Sequence, residues 1–294
     1  MEKQFSPNLM LLDCEQPRNQ NQDLYKFVLQ PQRNSLCFNN NYDDTIISLQ
    51  IKEKINFLKN IGFKFDNICN IKTTEYSWYL DYSGTYDLLN HSLINHSLIN
   101  DPTLKYLSIN GVVLKSDYMI EYIKNNKILY NPHSFRQSDD SIKYKIYDIL
   151  VHNILNKYIY FIGGEMIFMN MLLSPRNFIM YTDFESIYND ALRNFPQNKD
   201  NIYLINYNID KLQNINMLDK FDDYILIANT SKSGLGENLA KNITDIGLKN
   251  VVIISCNKKS FNTDYKILKN KYKINKTFEI ITNYTVSIYF LSLL

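Results

Sequence analysis

Cys256 is the residue in this chain best placed to do covalent chemistry. It follows the run Val251-Val252-Ile253-Ile254-Ser255, and Asn257-Lys258-Lys259-Ser260-Phe261 opens an amphipathic stretch continued by Tyr265, Ile267 and Leu268. Four β-branched apolar residues, a polar turn and then helical spacing read as strand, turn and helix. A thiol at the carboxyl end of such a strand lies on the edge where open α/β sheets bind their ligands. A thiolate is a nucleophile that works best beside positive charge, which Lys258 and Lys259 would supply. A lone free cysteine is more often a buried structural residue, so the case for Cys256 rests on what surrounds it.

The elements that would position it form a regular series. From Ser141 onward the chain alternates helices and strands. Ile142, Ile146, Ile149, Leu150 and Ile154 mark a helix face, and strands are expected at Tyr158–Ile162, Asn177–Tyr181, Asn201–Ile205, Tyr224–Ala228 and Asn250–Ser255. Helices are expected between most of them, at Glu165–Leu173, Glu185–Phe195, Glu237–Ile246 and Ser260–Asn270. A closing strand pair, within Lys273–Ile281 and Thr285–Leu291, has no helix between its members. Repeated βα units imply a parallel-rich sheet covered on both faces. The first 130 residues differ. Residues 1 to about 45 are polar, rich in Asn and Gln, and read as an irregular arm. Ile51, Ile55, Leu58 and Ile61 give a helix, and Phe65 to Tyr130 reads as β or α+β. The duplicated pentapeptide at His91 and His96 reads as a slipped repeat in a loop. The expected division is therefore an α+β region over 1–130 and an α/β domain over 131–294.

Composition removes several function classes. The cysteines Cys14, Cys37, Cys69 and Cys256 are scattered, and His91, His96, His133 and His152 form no ligand pattern, so no metal is expected. Eight glycines in 294 residues, where average usage would give roughly 20, leave little for a glycine-rich phosphate loop. That argues against an unrelated nucleotide-binding α/β protein. A net charge of +2 and a pI near 8.1 support nucleic-acid binding only weakly, and the lysines at 258–259 and between 266 and 276 read first as a solvated face. The start Met-Glu-Lys-Gln does not read as a signal peptide. The apolar stretch Tyr158 to Leu173 is broken by Gly163, Gly164 and Glu165 and is too short to span a bilayer. The expectation is an intracellular, cytoplasmic protein without membrane contact. Heavy use of Asn, Ile, Lys and Tyr points to AT-rich coding, as in a giant virus, a protist or a low-GC bacterium.

Several blocks, taken in order, resemble the RNA 5-methyluridine (uracil-C5) methyltransferases. Asn131-Pro132-His133-Ser134-Phe135-Arg136-Gln137, with Tyr147-Asp148 after it, is similar to the family's S-P-x-S-F-x-Q-x-N … L-Y-D. Tyr158 to Phe168 lies where the family has D-L-x-C-G-x-G-x-F. Phe178 to Asn194 with Asn201-Ile202-Tyr203 resembles V-x-G-x-E … A-x-x-N-A … N. Asn229-Thr230-Ser231-Lys232-Ser233-Gly234-Leu235 resembles D-P-P-R-x-G-L, and Ser255-Cys256-Asn257 with Asp264 and Leu268 resembles S-C-N-P-x-T-x-x-x-D-x-x-x-L. The resemblance implies a class I methyltransferase domain of Rossmann-like α/β fold, S-adenosylmethionine as cofactor and tRNA or rRNA as partner. It implies Cys256 as the nucleophile, and Gln137, Gly163, Thr182, Asp183 and Asn229 at the cofactor.

The chain also departs from the pattern. Ile159 stands where the first strand has an acid, and Glu165 where the turn has its second glycine. Thr182 takes the place of the ribose-binding acid, with Asp183 one residue on. Asn229 replaces an aspartate, both following prolines are absent, and Lys232 replaces the arginine. Ser287, in Thr285-Val286-Ser287, stands where the family has the glutamate of H-V-E that serves as base. Two readings stay open: an active uridine-C5 methyltransferase, or a catalytically degenerate relative kept as an RNA-binding or assembly subunit. The 1–130 region shows no cluster-binding cysteines and no RNA-binding β-barrel. Tyr76, Trp78, Tyr79 and Tyr82 are candidates for base stacking, with core packing the simpler expectation.

Overall fold

The computed structural model describes residues 23–29, 35–38, 47–64, 69–74, 76–84, 95–123, 126–134, 136–137, 139–155, 158–163, 177–182, 184–204, 224–230 and 232–294. Among them the strands are, in chain order, β1 Asp23–Val28, β2 Ser35–Phe38, β3 Cys69–Thr73, β4 Trp78–Tyr82, β5 Leu104–Ile109, β6 Val112–Ser116, β7 Met119–Ile123 and β8 Asn126–Tyr130. They continue with β9 Tyr158–Gly163, β10 Asn177–Thr182, β11 Ile202–Leu204, β12 Tyr224–Asn229, β13 Asn250–Ser255, β14 Tyr272–Ile281 and β15 Thr285–Leu293. Helices cover Leu49–Asn60, Asp140–Asn153, Glu185–Asn194, Glu237–Ile246 and Lys258–Leu268.

Eight strands make one sheet, in the order β1-β14-β15-β13-β12-β9-β10-β11. Every pairing is parallel except the two made by β15. Parallel strands are covered on both faces and so carry continuous apolar runs, as in Ile159–Ile162, Ile225–Ala228 and Val251–Ile254. On one face Ile225, Ile227, Val252 and Ile254 pack with Ile142, Ile146, Leu150, Ile187 and Ala191 of the first two helices of the α/β part. On the other, Leu226, Ala228, Val251 and Ile253 pack with Leu239, Ala240, Ile243, Phe261 and Leu268. The strand order reverses between β9 and β12, which opens a crevice at the carboxyl ends of those strands.

The N-terminal part builds a second sheet, β2-β3-β4-β5-β6, and a ribbon, β7-β8. Its core joins Ile51, Ile55 and Leu58 to Trp78, Leu80, Tyr82 and Leu107. Asn110 and Gly111, at φ of 51° and 80°, make the turn between β5 and β6, since a two-residue hairpin turn of this hand needs positive φ at both positions.

The irregular arm expected over residues 1–45 is corrected in two places. Residues 23–28 form β1, which adds to the outer edge of β14 in parallel register from Asp23–Lys276 to Val28–Ile281, and residues 35–38 form β2. Tyr25 and Phe27 stack on Phe278 with ring centroids 4.9 and 6.4 Å apart, which gives this polar sequence its hold on the sheet. The last expected helix starts earlier than its apolar spacing suggests, at Lys258, because the Asn257 side chain accepts from the Lys259 N–H and caps it. The expected helix Glu165–Leu173 lies outside the described residues, as do residues 91–94 of the repeat; its second copy, expected in a loop, instead lies in a short helical turn, Asn95–Ile99. Trp78, Tyr79 and Tyr82 are buried and serve the core. Tyr76 is 43% exposed and meets Tyr122 edge-on at 4.7 Å. Among the described residues no helix is long and apolar enough to cross a membrane, and no group of His, Cys, Asp and Glu could hold a metal ion.

Candidate functional site

Cys256 is exposed and sits between the last residue of β13 and the cap of the Lys258–Leu268 helix. The Ser255 hydroxyl donates to the Asn257 carbonyl at 3.1 Å and accepts from the Asn257 N–H at 3.2 Å. These two bonds on either side of Cys256 close the turn. The thiol therefore projects from a fixed backbone at the carboxyl edge of the sheet.

A second loop, following β12, is fastened to the same helix. The Asn257 amide and the Ser260 hydroxyl both donate to the Lys232 carbonyl, at 2.9 and 2.7 Å. The Asp264 carboxylate accepts from the N–H groups of Leu235 at 2.8 Å and Gly236 at 3.3 Å. Burial pushes the Asp264 carboxyl up, against the pull of those two donors. Gly234 has φ of 85°, and a Cβ there would come within 2.5 Å of the Asp264 carboxylate. Two sequence blocks, joined by bonds that span 25 to 29 residues, are thus one structural unit, and the aspartate eight residues after the cysteine holds the neighbouring loop.

Gln137 is held by a side-chain hydrogen bond, and the segment that leads to it is anchored at several points. Its carbonyl accepts from the Tyr284 hydroxyl at 2.8 Å, which ties it to the turn between β14 and β15. Its neighbour Arg136 donates to the Thr73 carbonyl at 3.1 Å and the Tyr130 hydroxyl at 2.8 Å, and faces Glu121 at 3.4 Å and Asp140 at 3.6 Å. Burial would raise the Glu121 carboxyl, but Arg136 and Lys143 hold it below the usual carboxylate range. Upstream, buried Asp190 accepts from the Asn131 N–H at 2.8 Å and from the Ser134 hydroxyl at 2.5 Å. Burial raises Asp190 to about 6, with the two donors and Arg193 opposing. The Lys72 ammonium donates to the Pro132 carbonyl at 2.7 Å.

Gly163, Thr182 and Asn229 end three adjacent strands at one level. Gly163 pairs with Asn229, and Thr182 lies one residue beyond the Tyr181–Ile162 pair. Phe161, Met180 and Ile227, two residues earlier, belong to one core, so the three positions share a face. Gly163 has φ of 121°, and a Cβ on it would meet the Asn229 carbonyl oxygen at 2.3 Å. Only glycine fits there. Thr182 is buried, and its hydroxyl accepts from the Phe184 N–H at 3.2 Å, leaving it one proton to donate. Asp183, Gly164 and Glu165 lie outside the described residues.

Ser287 pairs directly with Ser255, so the position expected to carry a base does adjoin the cysteine turn. On its other side Ser287 pairs with Glu279 of β14. Sequence reasoning missed Asp190 and Tyr284, whose roles depend on chain crossings that no local spacing reveals. It noted Asp264, but not that its carboxylate is spent on the loop.

No family model matches the chain, and no curated protein matches it in sequence. Solved structures do match. The Pyrococcus abyssi tRNA (uracil-54, C5)-methyltransferase in complex with S-adenosyl-L-homocysteine has a TM-score of 0.64 at 15% identity, over 92% of this chain and 78% of that one. A Streptococcus mutans protein named as a SAM-dependent methyltransferase has a TM-score of 0.49 at 9% identity, over 76% and 71% of the two chains. The first likeness, with the strand order above, identifies the fold: a Rossmann-like class I methyltransferase fold, mostly parallel with helices on both faces, preceded by an α+β N-terminal region.

Proposed function

We propose that this chain is an S-adenosylmethionine-dependent RNA methyltransferase that methylates uridine at C5, in tRNA or rRNA, through Cys256. The observation that carries this reading is the exposed Cys256 at the carboxyl edge of β13, beside a loop that Asp264 fastens in place. The shared fold with a tRNA uracil-C5 methyltransferase supports it. Uridine C5 is a poor nucleophile until a thiolate adds to C6 and pushes electron density onto it. The target base must leave its stack to meet such a thiol, and the exposed position of Cys256 suits that approach.

The edge fits the cofactor. Gly163 lets two strand ends approach with no side chain between them, and Asn229 and Thr182 set an amide and a hydroxyl at the same level. Gln137, Gly163, Thr182, Asp183 and Asn229 would hold it. Bound S-adenosylmethionine would supply an electrophilic methyl group. Asn229, neutral where the family has an aspartate, would bind by hydrogen bonding alone.

One observation favours the second reading, a degenerate RNA-binding or assembly subunit. Ser287 faces the cysteine turn, and a serine hydroxyl does not take up a proton at neutral pH without a base of its own. Calorimetric titration with S-adenosylmethionine tests the pair. Micromolar binding that Gln137→Ala abolishes, followed by labelled methyl transfer to RNA that Cys256→Ala abolishes, is expected. Absence of binding would discard the enzyme and leave the subunit.

A further inference from the structure

Four residues stand in one row across the end of the large sheet: Lys26, Glu279, Ser287 and Ser255. The register pairs Lys26 with Glu279, Glu279 with Ser287, and Ser287 with Ser255. Residues directly opposed across strands point to the same face. Ile253 and Tyr289, two places along from Ser255 and Ser287, lie in the core with Phe261, so the row faces the Lys258–Leu268 helix that Cys256 precedes. Strands are spaced ~5 Å apart, which sets Glu279 two strands, on the order of 10 Å, from the cysteine turn at the backbone.

The Glu279 side chain closes part of that gap. Its carboxylate lies 3.6 Å from the Lys258 ammonium, two residues beyond Cys256, and 3.8 Å from that of Lys26. The side chain is only 13% exposed, yet among the described residues it takes part in no hydrogen bond. Pairs this long, made by exposed lysines, contribute little to stability. Among the described residues the carboxylate is therefore held by ion pairing alone. Nearby, the buried Tyr289 hydroxyl has no well-formed hydrogen bond. Burial pushes that hydroxyl up, and Ser287 and Glu279 both act on it.

We propose that Glu279 is the general base of the uridine-C5 reaction, acting from β14 where residue 287 of β15 has only a hydroxyl. This rests on the uridine-C5 reading. The Cys256 thiolate forms a bond to C6, the former C5–C6 π pair forms the bond from C5 to the methyl carbon, and the donor's methyl–sulfur bond breaks with its electron pair leaving on sulfur. A Glu279 oxygen then removes the proton from C5. The C5–H electron pair restores the C5–C6 double bond, the C6–S pair leaves with the thiolate, and the carboxyl returns its proton to water.

The test uses the whole chain, labelled methyl donor and pooled unmodified tRNA and rRNA transcripts, with and without 5-fluorouridine in place of uridine. On uridine transcripts the wild type should turn over and release methylated RNA. Glu279→Gln should transfer one methyl per protein and retain it in a denaturant-resistant Cys256–RNA adduct, with turnover at least ~100-fold lower. Ser287→Ala should turn over like wild type. On fluorinated transcripts C5 has no proton to lose, so wild type and Glu279→Gln should accumulate the same adduct to the same yield. Release of methylated RNA by Glu279→Gln at the wild-type rate overturns the assignment. So does failure of that variant, but not of wild type, to form the fluorinated adduct, since Glu279 would then act before proton removal. If wild type gives neither transfer nor adduct on either RNA, the uridine-C5 reading itself fails, and the role of Glu279 with it.

Discussion

Asp190 is a buried acid inside a structural joint, and replacing it with asparagine should change how stability depends on pH. Its carboxyl is fully covered and joins the Glu185–Asn194 helix to the segment that leads to Gln137. Burial raises it from 3.8 to about 6. A group raised on folding contributes its full stability below its unfolded value and loses it as pH climbs through its folded value. For Asp190 the loss falls between about pH 4 and pH 6 and amounts to about 3 kcal/mol. Asparagine is a neutral mimic that still offers an oxygen to the Asn131 N–H and an amide to the Ser134 hydroxyl. Wild type and Asp190→Asn should therefore be close in stability at pH 4. By pH 7 the variant should lead by about 3 kcal/mol, or roughly 5 °C in Tm. Urea or thermal unfolding of both proteins at pH 4, 5, 6 and 7 reads this out, and the difference between them cancels every other titrating group. Parallel profiles, with a gap constant to within about 0.5 kcal/mol, would refute the argument that Asp190 carries an ionisation cost at neutral pH.

Other substitutions separate chemistry from scaffold. Cys256→Ser should leave stability within about 0.5 kcal/mol of wild type, since the side chain is exposed, while abolishing methyl transfer; matched unfolding curves and a labelled-methyl assay check both halves. Gly163→Ala should cost about 2–4 kcal/mol, from backbone strain at φ of 121° and the clash with the Asn229 carbonyl. It should also weaken S-adenosylmethionine binding, and wild-type calorimetry would contradict that. Asp264→Ala leaves the Leu235 N–H without its acceptor, at a cost of about 1–3 kcal/mol. With the loop beside Cys256 loosened, methyl transfer should drop while cofactor affinity holds, and the two assays run together decide it.

How far this architecture can be read from sequence varies from element to element. β13 and the cysteine turn are legible because a parallel interior strand must be apolar on both faces, so Val251–Ile254 stands out without context. β1 is not legible. Asp23-Leu24-Tyr25-Lys26-Phe27-Val28 covers one face of one neighbour, and its pattern resembles loop until Phe278 is placed beneath it. Alternation in β14 marks Glu279 as belonging to one face of a strand. It cannot say that the residue opposite is Ser287, because register is settled by the turn at Ile281–Thr285 and by the shift between Ile274 and Lys276. The same limit hid Asp190, whose partners lie 56 and 59 residues away.

The docking of β1 has a consequence for how the chain comes into being. Its partner on the sheet, β14, is about 250 residues further along. At a synthesis rate of about 5–20 residues per second, β1 waits ~10–50 s before the strand it must join has emerged. During that interval Tyr25 and Phe27 have no Phe278 to rest on, and the second pairing edge of β14 does not yet exist. The eight-stranded sheet can therefore close only after β14 and β15 have been made. A nascent chain halted before residue 276 should hold residues 23–28 unpaired, open to proteases and to chaperones.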